Sequence, residues 1–430
     1  MGERSPDDSR GPEPTRGRDV LAYYAYKATA AVELYRPVMY LYFLSVGLSF
    51  TQIAILEAVY NVTTVAGEVP TGYVGDRIGR RNSLLVGTAI IATTLVGIGL
   101  AGSFLALAGL YVAWSLGYTF RSGSEDAWLY DALAEERSTD AFAHVRGRGE
   151  SVSLVTGVAG GVVGGYLGGI DLAYPFFVAS GVTALGVVGL LGMGETGSYR
   201  EDGNGDGNGD VEEAGAGAEV LGFRRALGIV RDSVSDRAIR SFVLYYFVLF
   251  AAVSYLAFIF LQPVFQAVTV DAGLAPADVE PALGWFYAAY SLLGAGLAYY
   301  AGSIRERLGL RLWFYALPFV VGGALAGSLA LPLLALPALL LTRGVADVTK
   351  ALAGQYVNDR VESVGRATVL SAMAMVSALA VVPFQLGAGA LADATTPLAA
   401  LAAGGAVLVV GAALLLLLTD PMPSGDGASG

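Results

Sequence analysis

The chain contains no cysteine, one histidine and very little lysine. Without cysteine there is no disulfide, no thiolate nucleophile and no Cys-ligated metal centre. The single histidine, His144, lies in a charged stretch, so a histidine-based metal site or catalytic triad is excluded as well. Of 26 basic residues only Lys27 and Lys350 are lysines, which leaves 24 arginines. Charge of either sign is scarce, at 15% of residues, where a soluble chain carries roughly 25%. The phosphate-binding pattern G-x-x-x-x-G-K-[ST] does not occur, so no P-loop is available for ATP.

What fills the chain instead is apolar. Its 430 residues are 55% hydrophobic, with a mean hydropathy of +0.59. Apolar runs of bilayer-spanning length recur from one end to the other. We read twelve spans, at 30–49, 52–74, 83–102, 104–122, 151–170, 173–193, 241–264, 282–302, 312–330, 332–352, 367–391 and 396–418. The 58 glycines suit close helix approach in lipid. Arginines cluster in alternate loops, around Arg77, Arg80 and Arg81, around Arg146 and Arg148, from Arg200 to Arg240, around Arg305 and Arg307, and at Arg360. The intervening loops near 50, 103, 171, 270, 331 and 394 hold neither Lys nor Arg. The positive-inside rule then places both termini in the cytoplasm of a multi-pass cell-membrane protein. A net charge of −11 with few lysines resembles the chains of salt-loving archaea and says nothing about the fold.

The expected organisation is a disordered cytoplasmic tail over 1–25, a six-helix bundle over 26–194, a cytoplasmic linker over 195–240, a second six-helix bundle over 241–419 and a disordered tail over 420–430. The first nineteen residues lack the apolar core of a signal peptide. Residues 195–219 are too acidic and glycine-rich to fold alone. Phe223, Leu227, Val230 and Val234 follow at helical spacing and suggest an amphipathic helix on the membrane surface. Asp202, Asn204, Asp206, Gly207 and Glu213 match a calcium-loop expression. Gly209 sits where a packing residue belongs and no amphipathic helix precedes the loop, so an acidic linker is the preferred reading.

Between the second and third spans stands "GYVGDRIGRR", residues 72–81. A second copy, "GSIRERLGLR", occupies 302–311 at a constant offset of 230. Gly72 matches Gly302, Asp76 matches Glu306, Arg77 matches Arg307, Gly79 matches Gly309 and Arg81 matches Arg311. Leu310 replaces Arg80 in the second copy. Parallel halves related by an axis along the membrane normal belong to one large class of secondary transporters. The twelve spans in two sixes and the G-x-x-x-D-R-x-G-R-R pattern together resemble the major facilitator superfamily over residues 25–420. "GEVPTGYVGDRIGRRNSL" and "SGSEDAWLYDAL" (122–133) resemble a prokaryotic group of efflux permeases within it. The resemblance implies an all-α fold of two pseudo-symmetric six-helix bundles.

The motif has a physical logic. A carboxylate at Asp76 can dock on the electropositive amino end of span eleven, near Ala367, as a latch between halves worth roughly 0.3–2 kcal/mol. Arg77, Arg80 and Arg81 fix topology, and the resemblance implies that Arg80 pairs with Asp126, with Glu125 and Asp131 as substitutes. Gly72 and Gly79 permit close approach and turn conformations closed to other residues. "GGVVGGYLGG" (160–169) in span five resembles the family's antiporter sequence G-P-x-x-G-G, with Gly165 in place of the proline. Helix packing explains those glycines equally well.

Ionisable groups inside spans are candidates for substrate or ion coupling. They are Glu33 and Arg36 (i, i+3 in span one), Glu57 in span two, Arg121 closing span four, and Arg343 and Asp347 (i, i+4 in span ten). Glu57 is the preferred proton-carrying carboxylate; Glu33 with Arg36, and Arg343 with Asp347, are equally readable as structural ion pairs. Aromatics of span seven (Tyr245, Tyr246, Phe247, Phe250, Tyr255) and span eight (Phe286, Tyr287, Tyr290) could line a cavity.

The expected function is secondary active transport of a small organic solute by alternating access, preferably proton- or sodium-coupled efflux. A nutrient symporter for a sugar or organic acid is the alternative, and a membrane receptor or scaffold the rival from another class. An enzyme is not expected, since clustered His or Cys is missing. No cofactor, metal or nucleic-acid partner is expected, and the chain is expected to act as a monomer in the lipid bilayer.

Overall fold

The computed structural model describes residues 15–135, 141–194, 237–360 and 366–422. The acidic loop with its calcium-like pattern and the amphipathic segment at 223–234 lie outside the described residues. What is described is helical, and the helices form twelve long units. Eight of them are long and apolar enough, by length and composition, to cross a membrane.

Span one departs most from expectation. It begins at Thr15, not near residue 30, and runs helical to Ala31. It then unwinds through Val32–Val38 and resumes over Met39–Ser45. Residues 15–25, expected in a disordered tail, are therefore the first turns of a packed helix. Their polar look hides two fully buried tyrosines, Tyr23 and Tyr26, which join Trp128, Leu190 and Met193 in a small core. The remaining spans are Phe50–Ile78, Arg80–Leu100, Phe104–Ser122, Phe142–Ile170, Tyr174–Leu191, Arg237–Asp271, Val279–Tyr299, Ala301–Gly327, Ala335–Asn358, Arg366–Ala394 and Pro397–Leu418. Span seven contains a π-helical stretch at Val243–Phe250. A short helix, Ser124–Glu135, follows span four.

Twelve crossings return the chain to the side on which it started. We call that side the terminal face and the other the far face. The motif between spans two and three is not a loop. Span two runs to Ile78, span three starts at Arg80, and Gly79 alone turns the corner with φ 93°. Only glycine adopts that backbone without strain. Gly309 makes the same corner in the second half, with φ 73° and ψ 149° against ψ 153° at Gly79. The 230-residue repeat is thus a repeat of backbone conformation. Its side chains act alike too. Arg81 donates to the Met193 carbonyl after span six at 3.0 Å, and Arg311 donates to Asp420 after span twelve at 2.6 Å. Asp420, expected in a disordered tail, is held there by Arg311 and the Tyr315 hydroxyl. The Tyr315 phenol, the Met422 amide and Arg311 keep its carboxyl below the usual aspartate range.

The halves meet along two helix pairs, span five on span eight and span two on span eleven. Span five carries two glycine stripes, each of period four. Gly160, Gly164 and Gly168 face the break in span one; a Cβ on Gly164 would lie 1.9 Å from the Leu34 carbonyl oxygen. Gly161, Gly165 and Gly169 face span eight; a Cβ on Gly165 would lie 2.5 Å from the Glu280 carbonyl oxygen. Backbone contacts backbone at this seam, as small residues permit in lipid. Gly165, where the resembling pattern has proline, is required by this contact. Gly72, by contrast, has open space around it, so packing does not demand a glycine there.

Candidate functional site

The break in span one frees backbone groups that need partners, since lipid supplies none. Gln262 of span seven, fully buried, provides them from the opposite half. Its oxygen accepts from the Tyr40 amide at 2.7 Å, and its nitrogen donates to the Arg36 carbonyl at 2.7 Å and to the Tyr287 hydroxyl at 2.9 Å. The unwound segment carries Glu33 and Arg36, which pair at 2.6 Å. The pairing matches expectation but its setting does not: these residues sit in a break, not on a helix face.

Two cavities adjoin the break and share Arg36, Tyr60, Trp114 and Tyr118 in their walls. The first, about 310 Å³, runs from Glu33 and Arg36 past Arg121 to Asp126, Arg146 and Glu150 at the terminal face. The second, about 360 Å³, lies deeper and between the halves, with Glu57, Asn61 and Tyr111 on one side and Tyr255, Phe258 and Arg343 on the other.

Glu57 is 5% exposed. Three phenols donate to its carboxylate: Tyr40 at 3.0 Å, Tyr111 at 3.2 Å and Tyr255 at 2.5 Å. Tyr40 and Tyr111 belong to its own half and Tyr255 to the other, so this carboxyl ties the halves together. A buried carboxylate is tolerable only when hydrogen-bonded in this way. Arg36 and Arg343 both lie over the Phe258 ring, at 5.5 and 5.1 Å from its centroid, and Arg343 also covers Tyr290 at 5.4 Å. The expected partner of Arg343 does not engage it: among the described residues no ion pair joins Arg343 to Asp347, which is exposed. Most span-seven aromatics also miss the cavity. Tyr245, Tyr246, Phe247 and Phe250 are buried in the core of the second half, and Tyr255 reaches the site.

At the terminal face the charged groups pair differently from expectation. Arg80 pairs with Asp76 at 2.5 Å, within its own helix corner, and not with Asp126. Asp126 instead receives Arg146 at 2.7 Å, because the short helix from Ser124 turns its first-turn acids toward span five. Glu125 binds Lys27 at 2.6 Å, and Glu150 binds the same ammonium at 3.0 Å. Arg121 donates to the Tyr26 hydroxyl at 2.9 Å, and Arg77 lies over the Tyr73 ring. The Asp76 side chain is 58% exposed; the side chains at the amino end of span eleven lie outside the described residues.

The far face is laced shut. Span two starts with Ser49 as its cap, whose hydroxyl accepts the Gln52 amide at 3.2 Å. The two amides before it, of Phe50 and Thr51, have no partner within their own helix. Asp393, at the carboxyl end of span eleven, accepts both, at 2.7 and 2.9 Å. About two turns earlier on span eleven, Gln385 donates to the Ala54 carbonyl at 3.2 Å.

Gln262, Asp393, Tyr40, Tyr111 and a site role for Lys27 were not singled out in the sequence; Tyr255 was, among the span-seven aromatics. Gln262, the lone amide in an apolar run, and Lys27, one of two lysines, carried a signal in hindsight. Asp393, Tyr40 and Tyr111 carried none without the pairing of spans.

Helices crossing in two sixes, a break within span one and a cavity between the halves define a polytopic α-helical membrane protein. The sequence profile of the Major Facilitator Superfamily matches residues 28–383, and the chain belongs to that family. In sequence it is similar to the uncharacterized MFS-type transporter YxaM of Bacillus subtilis (strain 168), 23% identical over 188 residues. That match spans 43% of this chain and 46% of the relative, about half of its length. Three solved structures share the fold. The nucleoside transporter NupG superposes with a TM-score of 0.72 at 12% identity, covering 94% of this chain and 98% of its own. A bacterial homologue of the human lysosomal transporter Spinster, inward-facing and occupied, gives 0.69 at 15% identity, with 96% and 100% covered. A bacterial homologue of the iron transporter ferroportin, inward-facing, gives 0.65 at 16% identity, with 93% and 100% covered.

Proposed function

We propose that this chain is a proton-coupled exporter of a small organic solute that works by alternating access as a monomer in the cell membrane. One observation carries the reading. The cavity between the halves adjoins, through Arg36, Tyr60, Trp114 and Tyr118, a cavity of the first half that runs to the terminal face; the far face is held by Asp393, and the inter-half cavity holds a buried carboxyl, Glu57, bound by phenols from both halves. A group that gains or loses a proton there changes the contact that joins the halves, which is what coupling requires. With both termini cytoplasmic, as the arginine placement supports, this conformation is open to the inside. Asp76, largely exposed here, is then the inner latch in its released form. When the halves rock, it leaves Arg80 and meets the amino end of span eleven.

Export as the direction rests on the likeness of residues 67–84 and 122–133 to efflux permeases. The test is flux in proteoliposomes of purified protein under an imposed pH gradient, with a panel of organic solutes. Accumulation against the solute gradient when the exchange side is acidic supports the reading. Movement of solute with the proton favours uptake by symport. No flux under any imposed ion gradient removes transport altogether. Glu57→Gln keeps an acceptor for the three phenols and is expected to exchange solute while losing its response to pH.

A further inference from the structure

The deeper cavity holds a guanidinium with no ion-pair partner among the described residues. Among the described residues, the carboxylates that line the two cavities have partners: Glu33 has Arg36, Glu57 has three phenols, Glu125 and Glu150 share Lys27, and Asp126 has Arg146. Arg343 has no carboxylate. Its guanidinium lies over Phe258 and Tyr290, and its Nε–H is buried without a hydrogen-bond acceptor. Arg36, also over Phe258, adds a second cation to the same wall. Across the cavity the buried Asn61 Nδ2 has only the Tyr255 hydroxyl near it and no well-aligned acceptor. Both unsatisfied groups are donors. A buried donor left unpaired is costly, so each marks where an acceptor is missing.

We infer that the solute is an organic monoanion, an aromatic or otherwise flat apolar carboxylate, held by Arg343 with Asn61 as a second donor. This rests on the transport reading above and names the substrate class of that site. A carboxylate matches the planar fork of a guanidinium in two parallel bonds. Arg343, without an ion-pair partner, takes one carboxylate, most favourably when Glu57 in the same wall carries a proton, and a second negative charge on the solute would find no cation of its own. The rest of the wall, Trp114, Tyr118, Tyr255 and Phe258, offers ring faces to a flat body. A volume of about 360 Å³ is enough for a bicyclic ring system.

The experiment measures equilibrium binding to the purified full-length chain, read by quenching of tryptophan fluorescence, Trp114 being in the wall. The probes are naphthalene-2-carboxylate, indole-3-acetate and benzoate, each against its neutral amide, with 2-naphthylmethylammonium as the cation. At least one carboxylate is expected to bind ten-fold or more tighter than its amide, and the cation not at all. Arg343→Gln is expected to remove that preference, and Arg343→Lys to keep part of it, since the charge stays and the fork is lost. Elution as a single species and an unchanged melting temperature show that a variant is folded. Equal binding of acid and amide, no binding by any carboxylate, or an undiminished preference in Arg343→Gln overturns the assignment. Carboxylate binding that depends on Arg343, without flux in liposomes, leaves the site standing and removes the transport reading. Flux of neutral solutes without acid preference does the reverse.

Discussion

Replacing Asp393 with alanine is expected to loosen the far face. The wild-type carboxylate accepts the first two amides of span two at 2.7 and 2.9 Å, across the boundary between the halves. It also lies at the electropositive end of a 29-residue helix. The group is at the protein surface, so each bond exchanges with water and the net loss is small, about 1.5 kcal/mol in all. Since 1.4 kcal/mol is tenfold in an equilibrium, a far-face-open state populated at about 5% would rise to about one third. The chain has no cysteine, so spin labels can be placed at Leu105→Cys and Leu331→Cys with no background to remove. Both positions are exposed, one in each half, at the far ends of spans four and ten. Pulsed electron resonance in nanodiscs would then show a second, longer distance growing in Asp393→Ala. If the two distance distributions superimpose, Asp393 is an ornament of one conformation and the reasoning about far-face closure is wrong.

Three further outcomes are expected. Gly165→Ala forces a methyl toward the Glu280 carbonyl, which costs about 1–3 kcal/mol in the closed seam. The same labels should report far-face opening, and an unshifted distance with full stability would contradict the seam. Gly79→Ala and Gly309→Ala each place a side chain at positive φ, at a cost of about 1–3 kcal/mol. In thermal unfolding both should lose stability, and the double variant should lose roughly the sum because the corners are in different halves. Asp76→Asn removes an exposed pair with Arg80 worth under about 1 kcal/mol, so the melting temperature should hold while turnover in liposomes slows. An unchanged turnover number would count against the inner latch.

Periodic information was readable from residue types, and geometric information was not. The helical spans, the repeat at 72–81 and 302–311 and the glycine-rich face of span five follow from local composition, so they were legible. The start of span one was not, because Tyr23, Tyr26 and Lys27 look polar until Trp128, Glu125 and Glu150 are brought to them. The unwound stretch at Val32–Val38 was hidden for a related reason. Nothing within it breaks a helix before Pro37; it is stabilised from 226 residues away by Gln262, which donates to the Arg36 carbonyl. Glu57 was identified from its oddity in an apolar run, but its three phenols come from three different spans. Arg80 was assigned to Asp126 by resemblance, whereas Asp76, one helical turn away, is nearer in this conformation.

Each half of the molecule also ends by fastening itself. Arg81 ties the second span's corner to the close of the sixth helix, and Arg311 ties its counterpart to the close of the twelfth. Both fastenings are internal to one half, so severing the chain after residue 194 breaks neither. Two separately translated fragments would each keep their ring of helices and could find one another in the bilayer through the glycine-lined contact. A gene split at that position should therefore still yield a working pair.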